Sequence, residues 1–315
     1  MCRGIYLTIW LLSSIYFTQV NAQSNGKILF THESDIWVMN PDGTDPVNLT
    51  NSPEIEHSVS ISADGSKVVF IAPGSSFVDP VWIMDFDGSN RRQLEATFSA
   101  EKNEGPAISP SGDRIAYDRL AYRDDPLGVS GWDIVLINTT MEGANLKFLE
   151  LPGQQRGTLS WSPDEDKILY SSSYESSNVD IWVVNVDGTN HMRLTNHSAP
   201  EIDATWSPDG TKIAYTVSED GWNIYVMNAD GSNPTQLTDL PSQDIIPCWS
   251  PDGTQIGFSS TRDGDFAFYI MNSDGTNPQR VNGLAQSCST WFSTATATQI
   301  NPQLWSSIKL KSLMK

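Results

Sequence analysis

A chain of 315 residues is long enough to bury a sizeable core, and 11 Trp and 9 Tyr supply large apolar side chains to fill it. A formal net charge of −19 opposes a nucleic-acid phosphate surface and an anionic membrane face. It suits a solvated acidic surface, a basic partner or a cation.

Residues 1–22 read as a secretory signal peptide. Arg3 opens a short positive region, residues 5–17 form an apolar core, and Val20-Asn21-Ala22 gives a small-residue cleavage site before Gln23. The apolar run is short for a stable span, so no lasting membrane insertion is expected after cleavage. Cys2 lies too early to be a lipoprotein attachment site. The mature protein is expected in the periplasm or outside the cell.

From residue 23 to 300 the chain repeats one unit. The first copy starts at Lys27-Ile28-Leu29-Phe30 and contains an Asp42-Gly43 turn. The second carries Ser62-Ala63-Asp64-Gly65 and Asp87-Gly88; the third carries Ser109-Pro110-Ser111-Gly112 and a degenerate Met141-Glu142-Gly143. The motif then sharpens to Trp161-Ser162-Pro163-Asp164 with Asp187-Gly188. Trp206-Ser207-Pro208-Asp209-Gly210 with Asp230-Gly231 follows, then Trp249-Ser250-Pro251-Asp252-Gly253 with Asp274-Gly275. Second turns fall mostly 43 to 45 residues apart, the period of a propeller blade. Pro presets φ and Gly takes positive φ, so each motif reverses two strands. Ile224-Tyr225-Val226-Met227 is apolar without alternation, as in a sheet buried on both faces.

These features predict an all-β fold, a six-bladed β-propeller of four-stranded antiparallel blades. The first unit lacks an entering strand, and Ser289-Thr290-Trp291-Phe292-Ser293 is a strand without a unit. That C-terminal strand is expected to complete the first blade and close the ring. Residues 301–315 are expected to form a peripheral tail with a short helix around Trp305 and Ile308.

The run from Trp206 through Lys212-Ile213-Ala214-Tyr215 to Ile224-Tyr225-Val226-Met227-Asn228 resembles the TolB-type propeller repeat, also called WD40-like or PD40. The resemblance covers residues 27–300 and is clearest from Trp161 onward. TolB itself carries an α/β domain ahead of its propeller. Here the repeats begin a few residues after the leader, so that domain is expected to be missing. The resemblance implies a Tol–Pal-like component of the cell envelope that docks a peptidoglycan-associated lipoprotein. Related propellers also precede the hydrolase domain of prolyl oligopeptidase-like peptidases, and others are pectate lyases with a His-rich metal site.

Residue chemistry favours binding over catalysis. Asp85-Phe86-Asp87-Gly88-Ser89-Asn90 resembles the opening of a calcium loop but lacks the Glu at position twelve and the flanking helices. The same residues suit a tight turn capped by Asx side chains. Gly128-Val129-Ser130-Gly131 has the wrong spacing for a nucleophile elbow, and no histidine pattern suggests zinc. Of His32, His57, His191 and His197, only His57 and His197 occupy comparable loops. The chain is therefore expected not to be an enzyme and to carry no cofactor, with a divalent cation at the channel mouth left open.

In a propeller, the segments entering the inner strands gather on one face. Here they carry Glu56, His57, Glu104, Arg156, Glu201, Asp203 and Asp244, an expected ring at the channel mouth with carboxyl pKa values raised by mutual repulsion. The long insertion 120–132 projects from the same face and offers Tyr122, Arg123, Asp124 and Asp125 for recognition. A protein or peptide partner and a monomeric chain are expected. An extracellular polysaccharide lyase is the enzymatic alternative. Cys248 and Cys288 lie on entering strands of neighbouring units; export permits a disulfide. Inner strands set too far apart would instead leave two buried free thiols, the reading preferred here.

Overall fold

The computed structural model describes residues 26–74, 79–94, 100–122, 130–140, 146–149, 151, 155–174, 178–239 and 241–293. The expected leader, the 301–315 tail, the turn at Glu142, and Arg123, Asp124 and Asp125 lie outside the described residues.

Twenty-four strands form six four-stranded antiparallel sheets, and the described residues contain no helix. Blade one comprises β1 (Lys27–His32), β2 (Asp35–Met39) and β3 (Val47–Asn48). Blade two comprises β4 (His57–Ile61), β5 (Lys67–Ile71), β6 (Val81–Asp85) and β7 (Arg92–Gln93). Blade three comprises β8 (Ala100–Ile108), β9 (Arg114–Tyr122), β10 (Ser130–Asn138) and β11 (Lys147–Leu149). Blade four comprises β12 (Gln155–Trp161), β13 (Lys167–Ser172), β14 (Asp180–Asn185) and β15 (Met192–Arg193). Blade five comprises β16 (Glu201–Trp206), β17 (Lys212–Val217), β18 (Asn223–Asn228) and β19 (Thr235–Gln236). Blade six comprises β20 (Asp244–Trp249), β21 (Gln255–Ser260), β22 (Ala267–Asn272) and β23 (Gln279–Arg280). The final strand, β24 (Thr290–Phe292), pairs antiparallel with β1, matching Ile28 to Trp291 and Leu29 to Thr290. It is the innermost strand of blade one, and the ring closes as the repeat implies.

The turn motifs behave as local chemistry requires. Ser207 Oγ donates to Asp209 (2.6 Å) and accepts the Lys212 amide (2.9 Å); Ser250, Asp252 and Gln255 repeat the pattern. In the second turns, Thr44, Ser89, Thr189, Ser232 and Thr276 donate their amides to Asp42, Asp87, Asp187, Asp230 and Asp274 at 2.9–3.0 Å. The Ser232 and Thr276 hydroxyls, with these amides second, hold the Asp230 and Asp274 carboxyls below their usual values. The resemblance to a calcium loop is therefore a set of turn caps. Blade four departs at one place: Glu165 stands where blades two, three, five and six have Gly65, Gly112, Gly210 and Gly253, and adopts φ 60°. Its carboxylate meets the Ser111 amide and Arg114 (3.0 Å) of blade three, contacts a glycine could not make.

The core lies between blades rather than within them. One large ring from the second strand of each blade is fully buried: Phe30, Phe70, Tyr117, Tyr170, Tyr215 and Phe258. Each burial contributes about 1.5–3 kcal/mol. Trp161 and Trp249 donate their indole N–H to Ala107 and Thr205 carbonyls in the preceding blades, at 2.9 and 3.3 Å. At the closing seam Ile28, Phe30 and Met39 of blade one pack with Cys248, Phe268 and Ile270 of blade six.

The preferred reading of two free thiols is overturned: Cys248 and Cys288 form a disulfide across this seam. Their Cα atoms are 6.4 Å apart, within reach of a bridge. Cys248 on β20 and Cys288 just before β24 meet where blade six packs on blade one.

Candidate functional site

The six inner strands surround a central channel of about 630 Å³. Trp161, Trp206, Trp249, Pro163, Pro208 and Pro251 contribute to its apolar wall. Nearer the strand entries the wall includes Ser58, Gly105, Thr158, Asp203 and Ile246.

A bulge sets that rim. Ser58, Gly105, Asp203 and Ile246 adopt left-handed φ of 53–56° at equivalent places in four inner strands, beside register shifts in β4, β8, β16 and β20. For β-branched Ile246 this conformation is strained, about 1–3 kcal/mol, and neighbouring packing has to impose it. These residues line the channel, as do those that follow them. The following residues, Val59, Ala204 and Pro247, are buried.

The expected ring does not assemble as one set of solvated charges. Glu56, Glu201 and Asp244, two positions before the bulge, are only 1, 2 and 0% exposed. Arg91 grips Glu56 (2.6 Å) and Glu54 (2.6 Å) while lying over the Phe70 and Trp82 rings. Arg262 grips Asp244 (3.0 Å) over Phe258 and Tyr269. Among the described residues no arginine grips Glu201; the Thr195 hydroxyl, Asp180 and His197 act on it, Asp180 being already paired with Arg193 at 2.8 Å. Burial, opposed by Thr195 and reinforced by Asp180, pushes the Glu201 carboxyl up to about 6. Desolvation, rather than repulsion round a ring, is the main cause.

Three predicted members stay within reach of solvent. His57 is exposed and shares a hydrogen bond with Ser58 (3.1 Å). Glu104 is half-buried; burial, with Glu104 adding to it, pushes the Asp118 carboxyl well above its ordinary value. Asp203 stands in the channel wall, partly exposed but surrounded by protein, and that desolvation pushes its carboxyl up to about 6. The side chains of Arg156 and Tyr122 lie outside the description. The arginines that lock the buried carboxylates escaped the sequence reading, because Arg91 and Arg262 come from non-equivalent positions of their blades.

The raised carboxyls carry a pH signature. Because the folded-state pKa of Asp203 exceeds the unfolded value of 3.8, its contribution to stability is complete below about pH 4. That contribution is lost as pH rises through 6; Glu201 follows the same sign from 4.5. Asp203→Asn should therefore stabilise the protein at pH 7.5 by about 1–2 kcal/mol and be neutral near pH 4. Thermal melts at both pH values measure this; an unchanged difference between wild type and variant across the range would contradict it.

Residues 80–223 and 141–298 match the family described as TolB beta propeller domain. A TolB homolog of Chlorobium luteolum is 31% identical over 139 residues, 43% of this chain and 28% of the relative. The chain thus spans under a third of that curated relative's length. Among solved structures, TolB from Acinetobacter baumannii superposes with a TM-score of 0.67 at 16% identity, over 84% of this chain and 66% of that one. An oligogalacturonate lyase from Vibrio parahaemolyticus superposes with a TM-score of 0.57 at 15% identity, over 81% and 79% of the two chains. At these identities the structural likeness is one of fold.

Proposed function

The chain belongs to the TolB beta propeller domain family, and on that premise we propose that it works as an exported protein- or peptide-binding module. Recognition takes place at the face where the inner strands enter the channel. The observation that carries this reading is the channel itself, a cavity of about 630 Å³ with apolar walls and a polar rim. Such a cavity suits anchoring side chains of a partner. Binding is favoured over acid–base catalysis because Glu56 and Asp244 are held by Arg91 and Arg262. Family membership favours a Tol–Pal-like envelope role as the specific form of this function.

A photo-crosslinking residue placed at His57 or at Asp274 separates the two faces. In the native host, adducts with a protein are expected from His57 at the strand-entry face and not from Asp274 in the opposite turns. Adducts from Asp274 alone would reject the assignment. Identification of a peptidoglycan-associated lipoprotein in the His57 adduct would establish the Tol–Pal form.

A further inference from the structure

We propose that the channel receives one positively charged side chain of a peptide partner, its ammonium or guanidinium group seated against Asp203. The inference rests on the peptide-binding reading above and names the chemistry that reading requires.

The wall supplies one acidic group at a neutral rim. At the positions equivalent to Asp203, the other inner strands place Ser58, Gly105, Thr158, Ile246 and the disulfide-bonded Cys288. Asp203 takes part in no hydrogen bond or ion pair among the described residues, and desolvation raises its carboxyl. The contrast with its neighbours is informative. Glu56 and Asp244, two residues before their own bulges, are each paired with an arginine, Arg91 and Arg262, from within the chain. Among the described residues no cation pairs with Asp203, which lines the cavity at the left-handed bulge, φ 56°. A cation delivered from outside would favour the ionised form of the Asp203 carboxyl.

The rest of the channel suits the stem that carries the charge. Beside Asp203 the wall is apolar at Pro106, Leu159 and Pro247, surface against which the methylenes of a lysine or arginine would lie. A volume of about 630 Å³ admits such a side chain without rearrangement. The chain's net charge of −19 draws basic ligands toward it before contact.

The probe is an N-acetylated, C-amidated pentapeptide with one central lysine, titrated into the full chain and followed by the amide shifts of Thr205 and Ile246. Controls are the same peptide with Nε-acetyllysine, 1,4-diaminobutane, and the protein variant Asp203→Asn, with a thermal melt to verify its fold. The lysine peptide should bind at least tenfold more tightly than its acetylated form, and the difference should vanish in Asp203→Asn. Equal affinities, absence of measurable lysine-peptide binding, or discrimination that survives in Asp203→Asn would overturn the proposal. Tighter binding of diaminobutane than of the peptide would overturn the peptide source in favour of a free amine. If these titrations fail while His57 still crosslinks a protein, this inference falls and the protein-binding reading stands. Loss of the His57 adducts in wild type removes the reading independently of the titrations.

Discussion

Gly43→Ala should cost about 3 kcal/mol or more, because left-handed strain and a backbone overlap act at the same atom. Gly43 has φ +83°, and an added Cβ would lie 1.7 Å from the Asn282 carbonyl oxygen and 2.7 Å from its carbon. A backbone carbonyl cannot swing aside as a flexible side chain would, so the seam between blades six and one has to open. The same relation recurs round the ring. Cβ atoms at Gly88, Gly231 and Gly275 would approach the Leu49, Leu194 and Leu237 carbonyl oxygens at 2.9, 2.5 and 3.0 Å. Each Asp-Gly turn thus docks on the outer segment of the preceding blade, and Gly43 does so across the closure.

Gly253→Ala is the internal control. Gly253 has φ +71°, but the nearest atom to its added Cβ is Pro208 Cδ at 3.8 Å. It should bear the conformational strain alone, about 1–2 kcal/mol. In thermal unfolding Gly43→Ala is expected to fall about 6–12 °C below wild type and Gly253→Ala about 2–8 °C. Equal losses from the two substitutions would mean that the seam yields, and that closure through Asn282 contributes nothing beyond the turn.

Sequence patterns exposed the architecture because its determinants are local. The Ser-x-Asp bonds of Ser207 and Asp209, and the Asx caps at Asp42 or Asp230, each span only a few residues. They recur with the repeat, so spacing alone located the blades. The missing first strand was legible for the same reason: Trp291 has the Trp of the motif but no unit behind it. The site was legible only in part. Glu56, Glu201 and Asp244 do occupy one repeat-equivalent position, but whether a carboxylate there faces solvent depends on partners the repeat does not encode. Arg91 reaches Glu56 from 35 residues on, before β7, whereas Arg262 reaches Asp244 from 18 residues on, after β21. The bulge was hidden as well, because Ser58, Asp203 and Ile246 share a backbone conformation without sharing a residue type.

The cysteine pair was misread because the gap between neighbouring inner strands depends on ring curvature, which no periodicity reports. Its removal should produce the second large effect. β24 contributes only three paired residues to blade one, Thr290 to Leu29, Trp291 to Ile28 and Phe292 to Lys27. So short a strand is held weakly by its ladder alone. The bridge to Cys248 anchors it two residues upstream of β24, beside the Ser289 amide bonded to the Leu29 carbonyl. With the two cysteines 40 positions apart in sequence, loop-closure entropy assigns the bond about 4 kcal/mol. The paired variant Cys248→Ser/Cys288→Ser should therefore melt about 8–16 °C below the oxidised protein. Reductant should lower wild type to the same temperature and leave the variant unmoved. The loss should begin at the seam, with amides of Ile28 and Leu29 exchanging faster than those of Ile213 and Ala214 in blade five. A variant that melts with the oxidised wild type, or exchange that accelerates evenly round the ring, would show that the ring stays shut without its staple.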